Sequence, residues 1–242
     1  MKKVLVLGAS GATGQQVVKA LLNKNIEVIA VVRPASAFEH SFQKRPNYNQ
    51  VNADILSMDE TDLCHHLKEC DVVVSCLGHN LTFKGIFGQP RLLVTDVIKK
   101  VAKILSSLKL DQKVKVILMN TSGNPNRDIP EKPPLSQRFV VALLRLLVPP
   151  HVDNEKAADF LRTTVGQENP YMEWSIVRPD GLINEAEVSD YDVHYSPISN
   201  VIFNAGTVSR INVADFMSRL AIDKALWQKW KGQMPVIYNS DK

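Results

Sequence analysis

Three glycines, Gly8, Gly11 and Gly14, punctuate the stretch Leu7-Gly8-Ala9-Ser10-Gly11-Ala12-Thr13-Gly14, directly after the apolar run Lys3–Leu7. The arrangement suits a pyrophosphate. Backbone N–H groups can cradle a diphosphate only where no Cβ intervenes, and a helix that follows aims the positive end of its dipole at the charge. Gly8 would permit the turn, Gly11 the close approach, and Gly14 the packing of helix against sheet. Ser10, Ala12 and Thr13 complete the expected cradle, two of them with hydroxyl donors. The spacing, G-x-x-G-x-x-G, is one residue longer in its first gap than the usual dinucleotide fingerprint. A tight turn without a ligand is the plain alternative.

A second residue type bears on which dinucleotide would lie there. NAD binders usually carry an acidic residue at the end of the second strand, where it takes the ribose 2′-hydroxyl. Here that strand ends Val31-Val32-Arg33-Pro34, and no carboxylate appears before Glu39. A guanidinium suits a 2′-phosphate that a carboxylate would repel. Arg33 therefore favours NADP(H) over NAD(H), with a solvated arginine at a strand end as the alternative.

These residues need a scaffold, and the chain reads as alternating strands and helices. Strand-like runs occupy Lys3–Leu7, Ile26–Val32, Tyr48–Ala53, Asp71–Cys76, Lys113–Met119, Glu173–Val177 and Val236–Tyr238. Helical periodicity covers Ala12–Asn23, Asp59–Lys68, with Asp59 and Asp62 as a capping box, and Leu92–Leu108. Such alternation predicts parallel βαβ units, hence an α/β, doubly wound parallel sheet. With 242 residues and neither repeat nor linker, residues 1–242 are expected to form a single dinucleotide-binding domain with a small C-terminal substrate-side portion.

Composition narrows the function classes. Hydrophobic residues make up 45% and charged residues 22%, an ordinary globular balance, and the net charge of +4 is spread along the chain. A nucleic-acid binder would concentrate that charge, so no nucleic-acid partner is expected. Cys64, Cys70 and Cys76 are odd in number and lack zinc-type pairing, which fits free thiols in a cytoplasmic protein and no metal site. The apolar run after Lys2 and Lys3 is too short for a signal peptide, and no stretch is long enough to span a membrane.

Further segments complete the pattern: Ala53-Asp54-Ile55, Ser75-Cys76-Leu77-Gly78, Met119-Asn120-Thr121-Ser122-Gly123, Asn154–Asp159, Trp174–Gly181 and Ser209–Phe216. Together with GASGATG, the chain resembles the atypical and extended short-chain dehydrogenase/reductase superfamily. It is most similar there to the small NAD(P)H-binding proteins that include biliverdin-IX-beta/flavin reductases and nitrogen-metabolite-repression regulators. The resemblance implies an NAD(P)-binding Rossmann fold. It also implies adenine contacts from Asp54 and Ile55, and a run of Cys76, Leu77 and Gly78 beside the ribose and pyrophosphate. Pro179 and the loop after it would flank the nicotinamide, while Arg178 and the segment from Ser209 would be structural.

For catalysis the resemblance implies a hydroxyl after the fifth strand to orient a substrate carbonyl, matched by Thr121 or Ser122. An ST-turn at the strand end is the alternative reading. The superfamily's Tyr-x-x-x-Lys pair is matched by Lys156, expected to open the helix before the sixth strand and to contact the nicotinamide ribose. The tyrosine position holds Val152. His151 is the neighbouring group with a near-neutral pKa. A helical step of about 100° would turn it off that face, so it needs a loop to act as proton donor.

The apolar helix Arg138–Val148, closed by Pro149 and Pro150, would form a pocket wall or a homodimer surface rather than simple core. Three functions remain open. One is an NADPH-dependent reductase of a small, apolar or aromatic acceptor such as a flavin, quinone, tetrapyrrole or carbonyl. The second is a non-catalytic NADP(H)-sensing regulator, which the missing tyrosine supports. The third is an epimerase-like enzyme, disfavoured by the short portion beyond Pro179.

Overall fold

Short β-branched runs build the sheet. The computed structural model describes residues 2–34, 40–79, 87–131, 140, 145, 148–199 and 205–240. Its strands are β1 (Lys3–Leu7), β2 (Glu27–Val32), β3 (Tyr48–Asn52), β4 (Val72–Ser75), β5 (Val114–Met119), β6 (Met172–Pro179), β7 (Gly181–Ile183), β8 (Tyr191–His194), β9 (Thr207–Ser209) and β10 (Val236–Asn239). The helices are α1 (Ala12–Asn23), α2 (Glu60–Lys68), α3 (Leu93–Leu108), α4 (Pro149–Asp159), α5 (Arg210–Ile222) and α6 (Lys224–Trp230). Eight strands form one sheet in the order β3-β2-β1-β4-β5-β6-β10-β8, parallel except where β8 runs against β10. β7 and β9 pair separately.

Alternation along each strand divides the core in two. Leu5, Leu7, Ile29, Val73 and Ile176 pack under α2, α3 and α4. Val4, Val6, Val28, Val74 and Val177 pack under α1, α5 and α6. Both faces are covered, which is why these strands read as continuous apolar runs. In α1 the buried Val17, Val18, Leu21 and Leu22 stabilise by about 2 kcal/mol each. The helix stops at Asn25, whose φ of 55° is the left-handed conformation that ends helices.

The doubly wound parallel sheet is as the sequence predicts, with boundaries shifted by a residue or two. Three differences matter. Pro149 and Pro150 open α4 rather than closing a helix, because proline fits the first turn where N–H groups have no intrahelical partner. Lys156 therefore lies in the last turn of α4, not at its start. Asp59 caps α2 through Thr61 N at 2.7 Å, but Asp62 makes no reciprocal bond. The expected helix Arg138–Val148 lies largely outside the described residues; within it Val140 and Arg145 are described, and both are helical. Strands β7, β8 and β9 escaped the sequence reading because three or four residues carry too little periodicity. Among the described residues no helix is long and apolar enough to cross a membrane.

Candidate functional site

Strand order reverses direction at β1, which has β2 on one side and β4 on the other. Open α/β sheets bind ligands in the crevice at the carboxyl ends of such strands. The glycine turn stands there. Gly8 has φ +73°, and a Cβ on it would come within 2.9 Å of the Cys76 carbonyl and of Leu77 N. The turn after β1 thus lies directly against the backbone that leaves β4. A Cβ on Gly14 would meet the Gly8 carbonyl oxygen at 2.1 Å, so only glycine lets α1 start so close to the sheet. Gly11 is different: it is exposed, and a Cβ there would touch only Gly8 O, at 3.3 Å. No side chain caps α1, and its first turn carries no acidic residue. Ala12 is exposed, Ser10 half-buried and Thr13 buried beside that helix end.

Arg33 follows β2 at the same edge and is exposed. Asp54, after β3, is also exposed, and its Oδ1 accepts Leu56 N at 3.0 Å in a local turn. Ile55 is 5% exposed and packs in the core. Lys100 of α3 fastens this turn by donating to the carbonyls of Ile55, Leu56 and Met58 at 3.4, 3.2 and 2.5 Å. After β4, Cys76 is buried, Leu77 half-buried and Gly78 exposed, with no atom in reach of a Cβ on it. Burial pushes the Cys76 thiol up to about 12, which leaves it unreactive at neutral pH.

The β5 end separates the two hydroxyls that sequence reading left as alternatives. Ser122 is 5% exposed and donates to Asp180 Oδ1 at 2.9 Å, so its hydroxyl is committed inward. Asp180 also accepts Gly206 N at 3.0 Å, and its burial raises its pKa. Thr121 is half-buried; its Oγ1 accepts Gly123 N at 3.2 Å, an ST-turn that leaves its own proton free to donate. Asn120 staples this turn to α4 by donating to Asn154 O at 2.9 Å, while its Oδ1 accepts Thr121 N at 2.9 Å.

His151 reaches the same turn from within α4. Its Cε1 lies 3.7 Å from where a Cβ on Gly123 would stand. Its Nε2 is buried and, among the described residues, has no hydrogen-bond partner; it lies 3.5 Å from Glu155 Oε1. Arg145 grips Glu155 with Nε at 3.0 and 2.8 Å from the two oxygens and Nη2 at 2.8 Å from Oε1. Burial opposes ionisation of Glu155, but His151 and Arg145 outweigh it and bring the carboxyl down to about 2. Val152 and Lys156 occupy the neighbouring helix face, and the exposed Lys156 amine has no hydrogen bond or ion pair among the described residues.

Two further expectations concern β6. Arg178 is fully buried and structural, as read from the sequence. It donates to Met234 O at 2.7 Å, Asn124 O at 2.9 Å, Glu131 Oε1 at 2.7 Å and Tyr195 O at 3.1 Å. Pro179 is buried within β6, and its carbonyl accepts Ser122 N at 3.0 Å. That bond ties Pro179 to the turn that leaves β5. Ser209 caps α5 through Asn212 N at 3.2 Å.

Residues 8–224 match the sequence profile of a family described as NAD(P)H-binding. The chain belongs to that NAD(P)H-binding family. No curated protein matches it by sequence. Among solved structures it is similar to a wide-type short-chain dehydrogenase/reductase from Veillonella parvula in complex with NADP. That match has 16% identity, 98% of this chain and 94% of the other, and TM-score 0.69. It is also similar to ChuY, an anaerobilin reductase from Escherichia coli O157:H7, at 19% identity, 100% and 98% coverage, and TM-score 0.65. The oxidoreductase ylbE from Lactococcus lactis follows at 16% identity, 99% and 92% coverage, and TM-score 0.66. At these identities the likeness establishes the Rossmann-like fold alone.

For an NAD(P)H-binding chain, the polar residues that sequence reading missed are informative. His79 donates to or accepts from Asp153 Oδ2 at 2.8 Å, and Asp153 also accepts Val94 N at 2.8 Å and Thr95 N at 2.9 Å. Asn120 and Asp180 join them. His79, Asn120 and Asp180 follow β4, β5 and β6 and Asp153 lies within α4, and only the fold shows which of them meet.

Proposed function

We propose that the chain is an NADPH-dependent reductase that passes hydride to a small acceptor, a flavin, quinone, tetrapyrrole or carbonyl. One observation carries the reading. The uncapped end of α1 and the Thr121–His151 pair stand on the same carboxyl edge of the sheet, the first suited to a diphosphate and the second to an acceptor.

The residues present fit a dinucleotide. Gly11 carries no Cβ in front of the α1 N-terminus, and no carboxylate of the first turn competes with a phosphate. Gly8, Ser10, Gly11, Ala12, Thr13 and Gly14 would hold the pyrophosphate. Arg33 would hold the 2′-phosphate, and Asp54 with the Ile55 backbone the adenine side. Cys76, Leu77 and Gly78 would run beside the ribose. When bound, the reduced nicotinamide supplies the hydride. Thr121 would donate a hydrogen bond to the acceptor atom, and His151, beside the Glu155 carboxylate, would give the proton that the reduced acceptor needs. Lys156 keeps a ribose contact only if its exposed chain folds back, and Pro179 shapes the floor behind the β5 turn.

A sensing role is the second reading. Val152 in the tyrosine position and the outward Lys156 support it, because together they remove the superfamily's usual proton relay. One experiment separates the two: titration with NADPH and NADH, followed by NADPH oxidation against flavins, quinones and carbonyls. NADPH binding at least about tenfold tighter than NADH, abolished by Arg33→Glu, together with turnover of one acceptor class, is the expected result. Equal affinities overturn the assignment of Arg33. Tight binding without turnover of any acceptor replaces the reductase with the sensor.

A further inference from the structure

The opposite, amino edge of the sheet holds a feature that dinucleotide binding does not use. A cavity of about 380 Å³ opens there among Lys2, Asp71, Lys115 and Lys224. Lys115, on β5, donates to Ala221 O at 3.4 Å, and Lys2 donates to the same oxygen at 3.2 Å. Two amines thus converge on one carbonyl, at the C-terminal end of α5. Neither has a carboxylate within ion-pair distance among the described residues. The acidic groups near Lys115 are engaged elsewhere. Glu173, its neighbour on β6, accepts Trp227 Nε1 at 2.7 Å and pairs with Lys231 at 3.3 Å. Asp223 accepts Ala225 N and Leu226 N in capping α6. Asp71 accepts Lys3 N. On its other side Lys115 lies over the Trp227 ring, 4.8 Å from the centroid.

An amine that is half-buried, crowded by a second cation and open to a cavity meets the conditions that activate a lysine nucleophile. Burial first, and then the Lys2 charge, push the Lys115 amine down to about 8. Besides Lys115, the lining carries Lys2, Lys68, Lys113 and Lys224 against Glu69, Asp71 and Asp111, a cationic excess that would draw an anionic leaving group. We propose that Lys115 is an acylation site, taking the acyl group of an acyl phosphate.

In this step the Nζ lone pair attacks the carbonyl carbon. The C–N bond forms as the C–O bond to phosphate breaks, inorganic phosphate leaves, and the amine proton passes to solvent. Nothing is oxidised or reduced. The product amide removes one of the two charges that share Ala221 O, and it lies at the sheet edge away from the glycine turn.

The test treats the full-length chain with acetyl phosphate from neutral to alkaline pH and follows each lysine by peptide mass spectrometry. Exposed Lys19 on α1 is the internal reference. Lys115 should be acetylated about tenfold faster than Lys19 at neutral pH. Its rate should be half-maximal near pH 8. Lys2→Ala should slow it several-fold and move that midpoint upward, with the thermal transition checked to show that the variant folds. The Lys115→Gln variant should bind NADPH as the wild type does. Labelling no faster than at Lys19, or a profile indifferent to Lys2→Ala in a folded variant, overturns the proposal.

Discussion

The N-termini of α1 and α3 lie on the same edge of the sheet and are finished in opposite ways. Each presents about half a positive charge and a set of N–H groups without intrahelical partners. At α3 the protein supplies the partner itself. Asp153 reaches across from α4 to accept Val94 N and Thr95 N, its backbone carbonyl accepts Thr95 Oγ1 at 3.0 Å, and His79 holds its second oxygen. At α1 there is a glycine N-cap, no side-chain bond and no acidic residue in the first turn. The difference separates a helix end used for construction from one left to an external anion. Both are glycine- or polar-rich strand exits in sequence, and only the presence of an internal carboxyl group tells them apart.

The largest effect should come from opening the closed end. Asp153 has no exposed surface, so Asp153→Ala leaves two backbone N–H groups and the His79 ring buried without partners. Each such orphan costs about 1–3 kcal/mol, and the sum should be about 4 kcal/mol of unfolding free energy in urea titrations. Asp153→Asn keeps one acceptor oxygen and should lose less. A loss below about 1 kcal/mol in Asp153→Ala would show that α3 does not depend on this partner.

Closing the open end is the converse experiment. Gly11 has φ −72° and ψ 159°, which any residue can adopt, and a Cβ there needs only a small adjustment against Gly8 O. Gly11→Asp would give α1 the kind of carboxyl partner that α3 already has. Thermal stability should rise by about 0.5–1 kcal/mol. NADPH affinity should fall about 100-fold, equivalent to about 2.7 kcal/mol, as measured by fluorescence titration. Unchanged NADPH affinity in a stabilised variant would place the pyrophosphate elsewhere.

The sequence made the open end legible and hid the closed one, for a physical reason. Gly8 and Gly14 are dictated by backbone clashes within seven residues of one another, so a local pattern carries them. The strands are legible for a similar reason: burial on both faces leaves Val4–Leu7 and Val72–Val74 uniformly apolar. Asp153, by contrast, serves a helix that begins 60 residues earlier, and nothing near it in the chain marks that task. The same holds for Asp180 with Ser122 and for Asn120 with Asn154. Helix α4 shows the limit of reading one motif position at a time: the sequence places Lys156 at the start of the helix, whereas the two prolines start it at Pro149, seven residues earlier.

The smallest expected effect concerns the second acidic residue of α4. Asp153 is matched by backbone N–H groups, whereas Glu155 is matched by Arg145, whose side chain is 42% exposed. The Glu155 carboxyl lies at about 2 when folded, below the ordinary carboxylate value. Its contribution is therefore complete above about pH 4.5 and is lost as the pH falls toward 2. Allowing for screening at the exposed guanidinium, it should amount to about 2 kcal/mol. The unfolding free energies of wild type and Glu155→Gln should differ most near neutral pH and converge in acid. A difference that stays constant down to pH 2 would mean that Glu155 stabilises α4 by packing and not by charge. His151 would then stand beside an electrostatically silent neighbour.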